Sequence, residues 1–188
     1  MNTTKTIPPA GHETLQRWQA REAELSARAA PVGLAQPEQV AGKSGLQMFE
    51  AMLAGELPRA PITTTLQFWL VEAGPGHAEF QGKPAFEHYN PLGGVHGGWM
   101  ATLLDSCVGC AVHTLLPAGK AYTTLELKIN LVRALTDQVP LVRAEGRTVH
   151  LGGQTATAEA RLVGPDGKLY AHGTTTCLVF AYPPKAKP

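Results

Sequence analysis

Asn90-Pro91-Leu92-Gly93-Gly94-Val95-His96-Gly97-Gly98 runs directly into Trp99-Met100-Ala101-Thr102-Leu103-Leu104-Asp105 and on to Thr114. The first half is a glycine-rich loop carrying one Asn and one His. The second half is apolar with helical period, and the helix it predicts runs from about Gly98 to Thr114. Pro117 and Gly119 end it. This helix is more apolar than amphipathic, so it must be covered on most of its sides. Asp105 interrupts it in the second turn. A glycine-flanked helix start offers unpaired backbone N–H groups and the positive end of a dipole. Such a start suits a developing oxyanion. With a carboxylate two turns in and His and Asn upstream, the segment has the composition of a catalytic site.

Outward from the helix the pattern changes to strands. Ile62–Ala73 alternates and is rich in Thr, Phe and Trp, and His77–Gly82 follows a Gly74-Pro75-Gly76 turn. Beyond the helix, strands are expected at Tyr122–Val132, Val139–Val149, Thr155–Val163 and Lys168–Tyr182, the last pair joined at Pro165-Asp166-Gly167. Upstream, Glu13–Ala29 holds good helix formers and stops at Pro31. Ser44 reads as the N-cap of a short helix to Leu53, with Leu46, Phe49, Met52 and Leu53 on one face and Gly55 and Pro58 at its end. The reading is an α+β chain: residues 1–60 a helical extension, 61–182 the main domain, 183–188 a disordered tail. An antiparallel sheet curled around the long helix would bury it.

Composition narrows the function. The chain has 188 residues, 44% of them hydrophobic, and a net charge of +1. No strong field calls for nucleic acid or a membrane surface. No apolar run is long enough to span a bilayer, and Met1–Pro9 has no apolar core of a secretory signal. The odd count of three cysteines argues against a disulfide framework, so a reducing cytoplasm is expected. Cys107 and Cys110 form C-x-x-C inside the apolar run, beyond the helix start where a redox pair would sit, and read as buried structural residues. His12 reads as a surface residue. His88, His113, His150 and His172 lack ligand spacing. There is no G-x-S-x-G elbow, P-loop or dinucleotide fingerprint. No metal and no cofactor are expected.

A single helix inside a curved antiparallel sheet describes the hotdog fold. Asn90, then His96-Gly97-Gly98, then Asp105 resembles the signature of PaaI-type hotdog thioesterases. The resemblance spans roughly residues 44–181, including Gly55-Glu56-Leu57-Pro58 and Thr124-Leu125-Glu126-Leu127-Lys128-Ile129-Asn130. It implies an acyl-CoA thioesterase acting on an aryl- or medium-chain acyl group. It implies Asp105 as nucleophile or general base and the Gly97 N–H as oxyanion donor. It also implies that the two face each other across subunits of a homodimer or dimer of dimers. Thr124, or Thr123 by a one-residue shift, would position water near the acid. His96 would orient the loop or the thioester, or serve only to bond the loop backbone. Asn90 would hold water or His96, or form an Asx-turn beside Pro91. Gly98, Tyr89 and Trp99 flank the motif and are candidate substrate contacts; with Phe49, Met52 and Phe86 they line an acyl tunnel or belong to the core. Arg133, Arg143 and Arg147 are candidate phosphate contacts. Leu151-Gly152-Gly153-Gln154 resembles the segment where relatives often carry a basic residue near the coenzyme A phosphates; Gln154 stands there without charge, and Gly153 is a candidate substrate contact. The alternatives are a non-catalytic acyl-CoA-binding hotdog protein and a dehydratase on the same fold.

Overall fold

The long helix, α5, runs from Gly97 to Thr114, and His96 caps it. His96 has extended backbone angles, and its Nδ1 accepts the Gly98 N–H at 2.8 Å. Buried side chains emerge all round the helix: Trp99, Met100, Leu103, Leu104, Cys107, Val108, Ala111 and Val112. Burial of such a helix needs a cover on most sides, and the sheet supplies it. A computed structural model describes residues 9–182; the expected tail 183–188 lies outside them.

Six strands form one antiparallel sheet in the order β1-β2-β4-β5-β6-β3. They are β1 Phe68–Gly74, β2 His77–Gly82, β3 Lys120–Leu131, β4 Val142–Leu151, β5 Thr155–Val163 and β6 Leu169–Ala181. The sheet wraps α5, and the main core lies between them. Glycine sets how closely they meet. A Cβ on Gly146 of β4 would lie 2.5 Å from the Cys107 carbonyl oxygen, so the sheet touches the helix backbone there.

The helical extension covers one side. Helix α1 (Pro9–Arg28) lies over β1, β2 and β4. Its buried Trp18 stacks against the Arg143 guanidinium at 4.8 Å. Arg21 donates to the Val71 carbonyl, and Gln81, fully buried, donates to Glu22. Helix α2 is one turn, Pro37–Val40. Helix α3 (Gly45–Ala54) begins at Ser44 in a capping box with Gln47 and ends on left-handed Gly55. It packs on β1 and α5, with Phe49 edge-on to His113 at 5.4 Å. Helix α4 (Pro61–Thr65) also reaches β1. Edge strand β1 is thus covered by its own chain, while among the described residues nothing covers edge strand β3.

The fold corrects the expected strand at Ile62–Ala73. Pro61 occupies the first turn of α4, and Thr63 bonds back to the Ala60 carbonyl instead of pairing. Gln67, at φ 50°, turns the chain, and pairing starts only at Phe68. The other expected elements form with shifted ends. Helix α2 and a 3-10 turn at Phe86–His88 carry no periodic signal and were not expected.

Candidate functional site

Two clusters lie along the inner side of β3. At one end, the Thr124 hydroxyl donates to Asp105 Oδ1 at 3.1 Å. Asp105 is half-buried on α5, and Thr123 points to solvent. Cys110, Tyr122 and Cys177 surround the carboxylate. Burial pushes the Cys110 thiol up to about 12, and it pushes Tyr122 and Cys177 up as well. The Asp105 charge raises all three further, so it sits among neutral neighbours. A Cβ on Gly109, one turn beyond Asp105, would lie 2.5 Å from the Tyr122 hydroxyl. The absent side chain makes room for that ring. Tyr122 is missing from the expected set, although period-two alternation places it on the same face of β3 as Thr124.

At the other end, the start of α5 meets Leu131. A Cβ on Gly97 would lie 2.6 Å from Leu131 Cδ1. The Gly98 N–H is taken by His96. Among the described residues no carbonyl outside the helix takes the Gly97 N–H. With Nδ1 accepting, the neutral His96 ring carries its proton on Nε2, and the ring is exposed. The backbone N–H of His96 donates to the His88 carbonyl at 2.7 Å. Asn90 Oδ1 accepts the Leu92 N–H at 2.9 Å and the Gly94 N–H at 3.4 Å, which is an Asx-turn. Asn90, Gly97, Leu131 and Arg133 line an open groove.

The remaining candidates lie apart from these clusters. Trp99 is not a surface contact: it is buried, donates to the Leu66 carbonyl at 2.8 Å and stacks on His88. Its bulk fills the space that a Cβ on Gly82 would need. Tyr89 bonds Asp137 through its hydroxyl, and Phe86 beside it is exposed. Arg143 is no free phosphate contact, because Glu79, Gln81 and Trp18 hold it beneath α1. Arg133 is exposed beside the Gly97 groove and bonds the Leu169 carbonyl. Gly153 lies in the β4–β5 turn, which meets β6 at Val179 through the Gln154 carbonyl, toward the Asp105 end of β3. Cys107 is fully buried, and its thiol bonds the Leu104 carbonyl.

Asp105 lies eight positions beyond Gly97. At the helical rise that is about 12 Å along α5. A reacting carbonyl needs its oxyanion donor and its attacking group each about 3 Å away. The two ends within one copy are too far apart for that.

A curved antiparallel sheet around one helix, with an acid two turns beyond that helix's glycine start, defines the hotdog class. The profile of the thioesterase superfamily matches residues 92–171. A conserved protein of Pseudomonas aeruginosa is 30% identical, with a TM-score of 0.60 over 64% of this chain and 94% of its own. A phenylacetic acid degradation-related protein of Ralstonia eutropha is 29% identical, with a TM-score of 0.63 over 69% of this chain and 98% of its own. A mutant of the phenylacetic acid degradation protein PaaI of Thermus thermophilus is 28% identical, with a TM-score of 0.56 over 63% of this chain and 97% of its own. No curated protein sequence matches. The chain belongs to the thioesterase superfamily of hotdog-fold thioester hydrolases. Among the described residues no helix is long and apolar enough to cross a membrane.

Proposed function

We propose that the protein hydrolyses acyl-CoA thioesters carrying an aryl or medium-chain acyl group, in a site shared by two copies. The observation that carries this reading is the division of the site along β3: Asp105 lies by Thr124, and Gly97 lies by Leu131. An antiparallel pair of β3 strands centred on Lys128, with Leu125 bulged out between Thr124 and Glu126, sets Thr124 opposite the partner subunit's Leu131. Opposed residues in such a pair point to one face with Cβ atoms about 5 Å apart. The partner's Gly97 then comes to Asp105 of this copy. The exposed edge favours that pairing: Leu125 is 60% exposed and Leu131 and Val132 each 53%, an apolar edge that would otherwise invite aggregation. Such pairs form the homodimer, and dimers of dimers extend the same assembly. The division of the chain at about residue 60 into a helical extension and a hotdog domain belongs to this reading.

In this mechanism the thioester carbonyl oxygen accepts the partner's Gly97 N–H. The dipole of that helix start favours the charge that develops there. Asp105 attacks the carbonyl carbon or takes the proton of the water that does. The thiolate leaves as the free thiol, and water supplies the acid's second oxygen, either directly or by replacing an Asp105 oxygen that passes to the acid when the mixed anhydride is cleaved at the aspartyl carbon. Thr124 fixes one carboxylate oxygen and leaves the other directed to the reacting atoms. His96 shapes the loop by tying down Gly98, which leaves Gly97 as the donor. Asn90 holds the loop through its Asx-turn and keeps its amide nitrogen for water. Arg133 borders the groove by Gly97 and suits the phosphates of coenzyme A. The acyl class follows the phenylacetic acid degradation proteins among the relatives. Three free cysteines support a reducing, cytoplasmic setting.

The test is thiol release from phenylacetyl-, benzoyl- and C4–C16 acyl-CoA by the wild type and by Asp105→Asn. The variant is expected to lose about 10²–10⁴ in kcat/KM with its melting temperature kept. An undiminished rate rejects the assignment. In a single turnover in ¹⁸O-water, label in Asp105 shows attack by its carboxylate with water cleaving the mixed anhydride at the aspartyl carbon, whereas label in the acid alone follows from attack by water or from cleavage at the acyl carbon.

A further inference from the structure

The sheet does not close over one stripe of α5. From Ala101 to His113 the half-buried residues are Ala101, Thr102, Asp105, Ser106, Cys110 and His113, and every residue between them is buried. Thr102, Ser106, Cys110 and His113 stand three or four apart and so share one face of the helix. Asp105 flanks that face toward β3, where Thr124 holds it. Cys110 flanks it on the opposite side, where it closes a cavity of about 140 Å³. The other walls are apolar: Leu25 of α1, Phe49 and Met52 of α3, Leu70 of β1 and Phe80 of β2. The Thr63 hydroxyl on this wall donates to the Ala60 carbonyl at 2.7 Å and needs no further partner. Burial keeps the Cys110 thiol protonated, so no charge comes from that side. Cys110 lies five positions beyond Asp105, about 7.5 Å along the helix. Only Ser106 and Gly109 lie between them on the open stripe, and Gly109 has no side chain to interrupt it.

We infer that the acyl group of the substrate lies along this stripe, from Asp105 past Ser106 to Cys110, with its far end in the cavity among Leu25, Phe49 and Met52. The inference rests on the proposed thioesterase site, which puts the thioester carbonyl at Asp105. An engineered apolar cavity of about 150 Å³ admits benzene, so about six carbons fit here. The path to Cys110 takes the first part of the chain, so the site selects straight acyl groups of about eight to twelve carbons. A benzoyl ring, joined directly to the carbonyl, stops short of Cys110 and leaves the cavity unused. Within the wider acyl class, the cavity therefore favours the medium straight chain over the aryl group. Leu25, Phe49, Met52, Leu70 and Phe80 all precede residue 92, where the match to the superfamily profile begins. Chain-length selection thus comes from the part of the chain outside the shared motif, and the helical extension is what measures the substrate.

Calorimetric titration of the full-length protein with S-butyl-, S-decyl- and S-dodecyl-CoA tests this. These thioethers cannot be hydrolysed, so the result does not depend on turnover. Burying one methylene is worth about fourfold in affinity. The wild type should bind S-decyl-CoA at least about tenfold tighter than S-butyl-CoA. Ala29→Phe fills the cavity from the α1 wall and should bring that ratio below about threefold. Met52→Ala enlarges the cavity from α3 and should raise the preference for S-dodecyl- over S-decyl-CoA by about threefold or more. It decides the matter if Ala29→Phe does not fold. Equal binding of the butyl and decyl thioethers by the wild type would overturn the inference. So would an unmoved ratio in a folded Ala29→Phe, or an unmoved preference in Met52→Ala. Failure of the wild type to release thiol from any acyl-CoA would reject the thioesterase reading instead, and the thioether ratios would still decide where the chain lies.

Discussion

Strand β1 lies beneath helices of its own chain, with α1, α3 and α4 against it. Strand β3, at the opposite end of the same sheet, is twelve residues long and carries exposed Leu125, Leu131 and Val132. The covered edge has its backbone occupied, as where Arg21 donates to the Val71 carbonyl. The open edge has Asp105 at one end of its inner face and Gly97 at the other. The covered edge serves stability and encloses a cavity. On the proposed reading, the open edge carries the groups that chemistry needs, placed so that a second copy would complete them.

The largest expected effect on the open edge, after Asp105→Asn, is that of Gly97→Pro. Proline is tolerated at the first helical position, and His96 already has the extended angles that precede proline. The substitution removes the N–H and leaves the helix. It should lower kcat by about 10²–10³. Gly97→Ala keeps the donor and displaces only the Leu131 side-chain end, so its kcat should stay within about tenfold. Stopped-flow thiol release on both variants checks the difference.

The two edges should break in different ways. Leu125→Lys with Val132→Lys blunts β3 as natural edges are blunted. Sedimentation should then show a monomer, with kcat/KM down at least tenfold and the fold intact. Phe49→Ala, under α3 on the β1 side, should cost about 3–5 kcal/mol in urea unfolding and leave the dimer in place. A dimer with unaltered activity in the lysine variant would defeat the shared-site reading. Mixing Asp105→Asn with Gly97→Pro sharpens it: half the dimers are hybrids with one intact site of two, so about a quarter of wild-type activity should return. Two independently complete sites would restore nothing.

The smallest effect belongs to pH, on the covered side. His113, packed between Phe49 and Tyr122, and His88, stacked on Trp99, both have pKa values lowered by burial. Unfolded imidazoles take up protons near pH 6.5, while these resist. Stability should therefore be flat above about pH 7.5 and fall as pH drops below 6.5 toward the folded values. The slope is at most about 1.4 kcal/mol per pH unit for each histidine. Urea midpoints at pH 7.5, 6.5 and 5.5 measure it, and His113→Gln should reduce the slope.

The fold was legible where a single physical cause acts. The helix at Gly97–Thr114 and the strand at Thr155–Val163 followed from hydrophobic period and bounding glycines or prolines. Ser44 and Gly55 marked α3 because capping is local chemistry. The region 61–67 misled, since its Thr-rich composition suits a strand while Pro61 and the Thr63 back-bond set a helical turn. Asp105, Gly97 and Thr124 stood out by pattern. The Tyr122–Gly109 contact did not, because it depends on which strand lies over which turn of α5. Trp99 suggested a ligand surface because it adjoins the motif, but helical geometry turns it into the core.

Helices α1, α3 and α4 over β1 also set a limit on the proposed strand pairing. A sheet with two bare edges can add copies at both and grow into a fibre. With one edge blocked, each added copy presents only another blocked edge. Pairing through β3, as proposed, would then stop at two, with the N-terminal helices as a chain terminator for the sheet.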